Sequence, residues 1–122
     1  MMRGVRGAVC ASANSREAIF EATRKLLLHM FAKNDIEIED IGAIYITATK
    51  DLNADYPAYV LREMGLKMVP LMCATEIDVP GALQRVIRIL ILINTDKTQD
   101  QIKHLYVGDA ARLRPDLTGE QQ

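Results

Sequence analysis

Cysteine and histidine are scarce in this 122-residue chain, which carries two of each. Cys10 and Cys73 form no C-x-x-C. That leaves neither a disulfide framework nor a zinc signature, and it reads as a chain of a reducing, cytoplasmic compartment. His29 and His104 lie far apart, with no HxxxH spacing and no clustered carboxylates. They read as structural or surface residues, and neither a metal nor any other cofactor is expected. Charge of neither sign dominates: 15 Lys and Arg stand against 16 Asp and Glu, a formal net of -1. A nucleic-acid surface calls for a basic excess and a membrane surface for a polybasic run, and neither is here. The longest apolar run, Ile89–Ile93, is far too short to span a bilayer. Met1–Ser15 lacks the long apolar stretch of a signal peptide. There is no G-x-S-x-G, P-loop or G-x-G-x-x-G, no internal repeat and no appended segment that reads as a regulatory sensor.

What is present suits one domain over 1–122, with a short tail over about 115–122. Hydrophobic residues make up 49% of the chain, enough for an ordinary core. A deep polar pocket would hollow out so small a core, so a site between subunits is the cheaper arrangement. Val5–Ala11 reads as a strand whose glycines, Gly4 and Gly7, suggest close approach of a ligand or another backbone. Asn14 with Glu17 three residues on makes a capping box. The apolar positions Ile19, Phe20, Thr23, Leu26, Leu27, Met30 and Phe31 then predict a helix ending near Lys33-Asn34. Ile41–Thr49 is β-branched and predicts a buried strand. Pro57–Met64 predicts a short helix closed by Gly65. Lys67–Thr75, with Pro70 inside it, predicts an edge or irregular strand. Val86–Ile93 is ambiguous by period, but its β-branched content favours a strand. His104–Val107 is a last short strand. The expected fold is α+β (mixed α/β): a single mixed sheet of about five strands packed against a long helix and a shorter one.

Two charges end or interrupt apolar strands. Glu76 closes the run Lys67–Thr75, and Arg88 lies inside VIRILILI. A charge in such a run either points out of an exposed face or is paired at a site, since an unpaired buried charge is costly. Arginine recurs in short stretches that include Arg6, Arg62, Arg88 and Arg114, and its planar fork suits carboxylates and phosphates. Cys73 has no neighbour in sequence that would activate it as a nucleophile. Residue chemistry alone therefore supports a small α+β domain able to bind an anionic ligand.

The order of motifs goes further. RGVRGA at 3–8, NTDKTQDQIKHLYV at 94–107 and LRPDL at 113–117 occur together. Between them lie Thr49 to Ala58, Arg62-Glu63, Val69 to Val79 and Arg85-Val-Ile-Arg88. Over about residues 2–117 this pattern resembles the monofunctional chorismate mutases of the Bacillus type. The resemblance implies a homotrimer with an active site at each subunit interface, and chorismate, a dianion, as substrate. The implied reaction is a [3,3] rearrangement to prephenate with no covalent intermediate, a step of aromatic amino acid biosynthesis. Position by position, Arg6 and Tyr106 match carboxylate-binding residues. Arg88 matches the residue that reaches the breaking ether oxygen. Glu76, with Cys73, matches the partner of the ring hydroxyl. Tyr56, standing where Phe is usual, and Leu113 match pocket walls, and Arg62 and Arg114 match positive residues at the pocket mouth. Val9-Cys10 replaces a hydroxyl-bearing pair, and Tyr59 stands where some members carry a charge.

Two other readings stand beside this one. A trimeric anion-binding or regulatory module would need Arg6 but not the Glu76–Arg88 pair. A hydrolase would use Cys73 as nucleophile and would require a histidine brought to it by the fold.

Overall fold

The computed structural model describes residues 1–113; Arg114 and the tail from residue 115 lie outside the described residues. Strand β1 (Met2–Cys10) is followed by helix α1 (Arg16–Asn34), strand β2 (Ile41–Ala48) and the short helix α2 (Tyr59–Glu63). Strands β3 (Leu71–Thr75), β4 (Val86–Asn94) and β5 (Leu105–Tyr106) complete one sheet, ordered β3-β2-β4-β1-β5. β4 lies at its centre, antiparallel to β1 and β2, while β3 and β5 run parallel to their neighbours at the edges. This is the expected mixed α+β architecture, with five strands, one long helix and one short.

β4 is the run whose period was ambiguous. Its Ile87, Ile89, Ile91 and Ile93 are buried in the main core, while Arg88, Leu90 and Leu92 alternate with them and are only partly covered. Both alternating sets are largely apolar, which hides a period of two from a reading of the sequence. The main core is the layer between sheet and α1, where Ile19, Leu26, Leu27 and Met30 meet Val5, Val9, Ile44 and Ile46. Gly7 sits beneath the helix. A Cβ there would lie 2.6 Å from Met30 Sδ and 3.1 Å from Leu26 Cδ1. The close approach that Gly7 admits on this face is that of α1 side chains.

α1 is capped by Ser15, not Asn14: the Ser15 hydroxyl accepts the N–H of Ala18. Either residue suits the position. Asn14 is taken by the loop after β2, accepting the N–H groups of Asn53 and Ala54 and donating to Asn53 Oδ1. The helix ends at Asp35, in the left-handed region at φ 52°. Lys67–Pro70 is a turn rather than the start of β3. The Pro70 carbonyl still accepts the N–H of Ile44, but proline has no donor to continue the ladder, so β3 begins at Leu71.

The outer edge of β1 is closed largely by side chains. Gln99 pairs with both backbone groups of Gly4, donating to its carbonyl at 2.8 Å and accepting its N–H at 3.2 Å. His104 Nδ1 accepts the N–H of Arg6 at 3.0 Å. β5 then takes over opposite Gly7 and Ala8. Asn34, at the end of α1, holds Lys103 by both its N–H and its carbonyl. A turn of 3-10 helix over Gly108–Leu113, which the sequence reading did not anticipate, packs back on β1.

Candidate active site

The sheet face turned away from α1 carries the polar residues. Strand register sets a row across it: Tyr106 on β5, Ala8 on β1, Arg88 on β4, Thr47 on β2 and Ala74 on β3. Ala8 is fully buried between Tyr106 and Arg88 in this row. The next row holds Arg6, Leu90, Tyr45 and Met72. Arg6, Arg88, Tyr106, Tyr45, Thr47 and Leu90 line a cavity of about 300 Å³ on this face. Three of the expected site residues, Arg6, Arg88 and Tyr106, are thus brought together from strands far apart in sequence.

Glu76 joins them through Arg88. Its backbone N–H is held by the Ala48 carbonyl just beyond β3, and its Oε1 lies 2.5 Å from Arg88 Nε. The ion pair is close but misaligned: Nε is buried and makes no well-directed hydrogen bond. Thr47 donates to the same Oε1 at 3.3 Å. Arg6 is different from most of its kind here. Arg16, Arg24 and Arg85 are tied to Asp55, Glu63 and the Ser12 carbonyl. Among the described residues, the Arg6 guanidinium makes no ion pair or hydrogen bond. Two arginines facing one cavity, one of them paired with a carboxylate on its far side, suit an anionic ligand through charge-assisted and bidentate contacts.

The remaining residues lie elsewhere. Cys73 is on the edge strand in register with Ile46, which belongs to the α1 side of the sheet. With Tyr56 and Pro57 it lines a separate cleft of about 480 Å³, which shares no residue with the Arg6 cavity. Within one subunit, Cys73 and Glu76 therefore do not meet as a pair. The Cys73 thiol is pushed above its ordinary value by desolvation, partly opposed by a hydrogen bond from the Ala58 backbone. A thiol so biased is a poor nucleophile at neutral pH. Tyr56 is exposed and meets Tyr59 edge to face, with ring centroids 5.5 Å apart. The Arg62 guanidinium sits over the Tyr59 ring. Leu113 packs with Ala8, Val86, Tyr106 and Ala110. Arg114 is outside the described residues.

Thr47, Tyr45 and Ala8 were not anticipated as site residues. Register identifies them, Thr47 and Ala8 opposite Arg88 and Tyr45 opposite Leu90, and register is set by pairings that no local motif announces. Among the described residues, no three or more His, Cys, Asp or Glu are grouped so as to hold a metal ion. Among the described residues, no helix is long and apolar enough to cross a membrane.

The chain is similar to known proteins over nearly its whole length. It is 48% identical over 122 residues to the chorismate mutase AroH of Thermus thermophilus, covering 99% of this chain and 100% of that protein. It is 40% identical over 119 residues to the chorismate mutase AroH of Bacillus subtilis, covering 97% and 94%. Its fold superposes on a chorismate mutase from Clostridium thermocellum with a TM-score of 0.87 at 45% identity, covering 89% of this chain and 97% of the other. The family model for chorismate mutase type I matches residues 2–117. With a five-stranded sheet of this order, an arginine-lined face and these relatives, the chain belongs to the chorismate mutase type I family.

Proposed function

We propose that this chain rearranges chorismate to prephenate as a homotrimer, at sites where the Arg6–Arg88–Tyr106 cavity of one subunit faces the Tyr56–Cys73 cleft of the next. The observation that carries the reading is the split itself. Residues suited to one small substrate lie on two clefts with no lining residue in common, and a second copy can bring such clefts together. The edge strand supports it. All five residues of β3 are exposed, and Leu71, Met72, Ile77 and Val79 stand in water along that edge. An unpaired apolar edge is a surface that proteins normally cover. In this reading the whole chain is one catalytic domain.

The chemistry follows from the charges. Chorismate carries two carboxylates, an ether oxygen and a ring hydroxyl. One C–O bond breaks as one C–C bond forms, so no nucleophile or proton transfer is required. Arg6 and Tyr106 hold carboxylate and select the compact conformer, a gain of orientation. Arg88 faces the ether oxygen, where negative charge grows only as the bond breaks, and so stabilises the transition state above the ground state. β4 is paired on both sides, which fixes the Arg88 backbone and lets the cation act without reorganising. Glu76 turns from Arg88 toward the ring hydroxyl, and Thr47 steadies its carboxylate.

The test is to follow chorismate absorbance with pure protein in EDTA-containing buffer, and to mix two variants. Arg88→Met damages one half of the site; Cys73→Trp plugs the other. Each alone is inactive, and refolding them together restores part of the activity, because mixed assemblies regain some intact sites. No recovery, or a fully active monomer in sedimentation equilibrium, rules out the shared site.

A further inference from the structure

We infer that His104 is a positioning residue for the carboxylate-binding pair: its imidazole fastens the edge of β1 to β5 at the point where Arg6 and Tyr106 must be presented together. The inference rests on the roles given to Arg6 and Tyr106 above.

The geometry is local and specific. β5 is only two residues long, pairing Leu105 with Gly7 and Tyr106 with Ala8. One more rung follows, from the Val107 N–H to the Ala8 carbonyl. So short a parallel edge strand is weakly held by its own ladder. Before it, the ladder is replaced by a side chain, as His104 Nδ1 accepts the Arg6 N–H at 3.0 Å. His104 is buried, at 7% exposure. It lies one residue before β5 and bonds the backbone of Arg6 itself, so a single ring ties the residue that carries one binding group to the strand that carries the other. The preceding residue, Lys103, is held through both backbone groups by Asn34. The approach of the chain to β5 is thereby fixed from the helix side as well.

Accepting at Nδ1 requires that this nitrogen carry no proton. The place of the acceptor matters, and substitutions can separate it from size and polarity. The amide oxygen of Asn falls where Nδ1 stands, whereas that of Gln falls one bond farther out. His104→Asn therefore keeps KM within about threefold of wild type, while His104→Gln raises KM about tenfold with kcat changed less than about threefold, the pattern of lost substrate binding rather than lost transition-state stabilisation. Thermal midpoints measured on the same samples separate this from a general loss of packing, since two folded variants of equal stability then differ in KM. Should His104→Gln fail to fold, His104→Ala takes its place against His104→Asn with the same readout. Equal KM values for the Asn variant and its comparator overturn the inference, and so does a KM that merely follows thermal stability. Arg6→Met is measured alongside. If it leaves KM unchanged, the role of Arg6 fails; if it raises KM while His104→Gln does not, only the positioning role of His104 fails.

Discussion

The two faces of the sheet are built from the same strands and differ in almost everything else. Toward α1 the strands present Val5, Val9, Ile44, Ile46, Ile87, Ile89 and Ile91, all buried in the main core. Away from it they present Arg6, Tyr45, Thr47, Arg88 and Leu90 around an open cavity. Because side chains alternate along a strand, stability and chemistry are written into odd and even positions of the same segment. Ile89 belongs to one and Arg88 to the other, one residue apart.

The sharpest way to break the comparison is to change those two neighbours. Arg88→Met is expected to lower kcat by at least about 10²–10³ in a folded protein, the loss typical of one preorganised donor. Ile89→Ala is expected to cost about 2–5 kcal/mol of stability as a buried cavity opens, while the protein that remains folded keeps its kcat. Denaturant unfolding and steady-state rates on both variants check this; a normal kcat for Arg88→Met would sink the assignment. Glu76→Ala comes next. The carboxylate stands beyond the end of β3 and contributes little packing, so circular dichroism should be unchanged. Turnover should fall about 10- to 100-fold, the scale of a lost hydrogen bond to a charged group.

Arg62→Met should do less. Its guanidinium is exposed over Tyr59, where solvent and salt screen it. A rise in KM of about two- to fivefold, shrinking at high salt and with kcat unchanged, is expected on the scale of surface charge interactions. Cys73→Ser should do least, keeping kcat within about threefold because Ser retains a donor at that position. The same thiol gives a pH test. Its raised pKa keeps it protonated at neutral pH, so alkylation should be slower at pH 7 than for a free thiol and accelerate as pH rises. Fast alkylation at pH 7 would contradict the desolvated environment.

The parts of this molecule legible in the sequence are those whose cause is local. The α1 periodicity, the β-branched β2 and the edge character of β3 each follow from a few neighbouring residues. Pro70 marked an edge, though not that β3 would start only after it. The parts that were not legible depend on partners far along the chain. Ser15 displaced Asn14 as the helix cap because a loop 39 residues on claimed the asparagine. His104 read as structural or surface because its partner, the N–H of Arg6, lies 98 residues away. Arg88 was identified as a candidate, but its companions Thr47 and Ala8 emerge only once the strands are set in register.

The order in which the strands appear has a consequence for how the protein is made. β1 is synthesised first, yet its partners are β4, from Val86, and β5, at Leu105–Tyr106. The longest pairings in the sheet, Gly7 with Leu105 and Ala8 with Tyr106, close most of the chain into one loop. Contacts of such span are slow to form. On the ribosome, β1 must wait for its first sheet partner until β4, from Val86, has been made. A ribosome stalled anywhere before β4 therefore holds a chain whose β1 has neither of its sheet partners, with Arg6 still waiting for Tyr106.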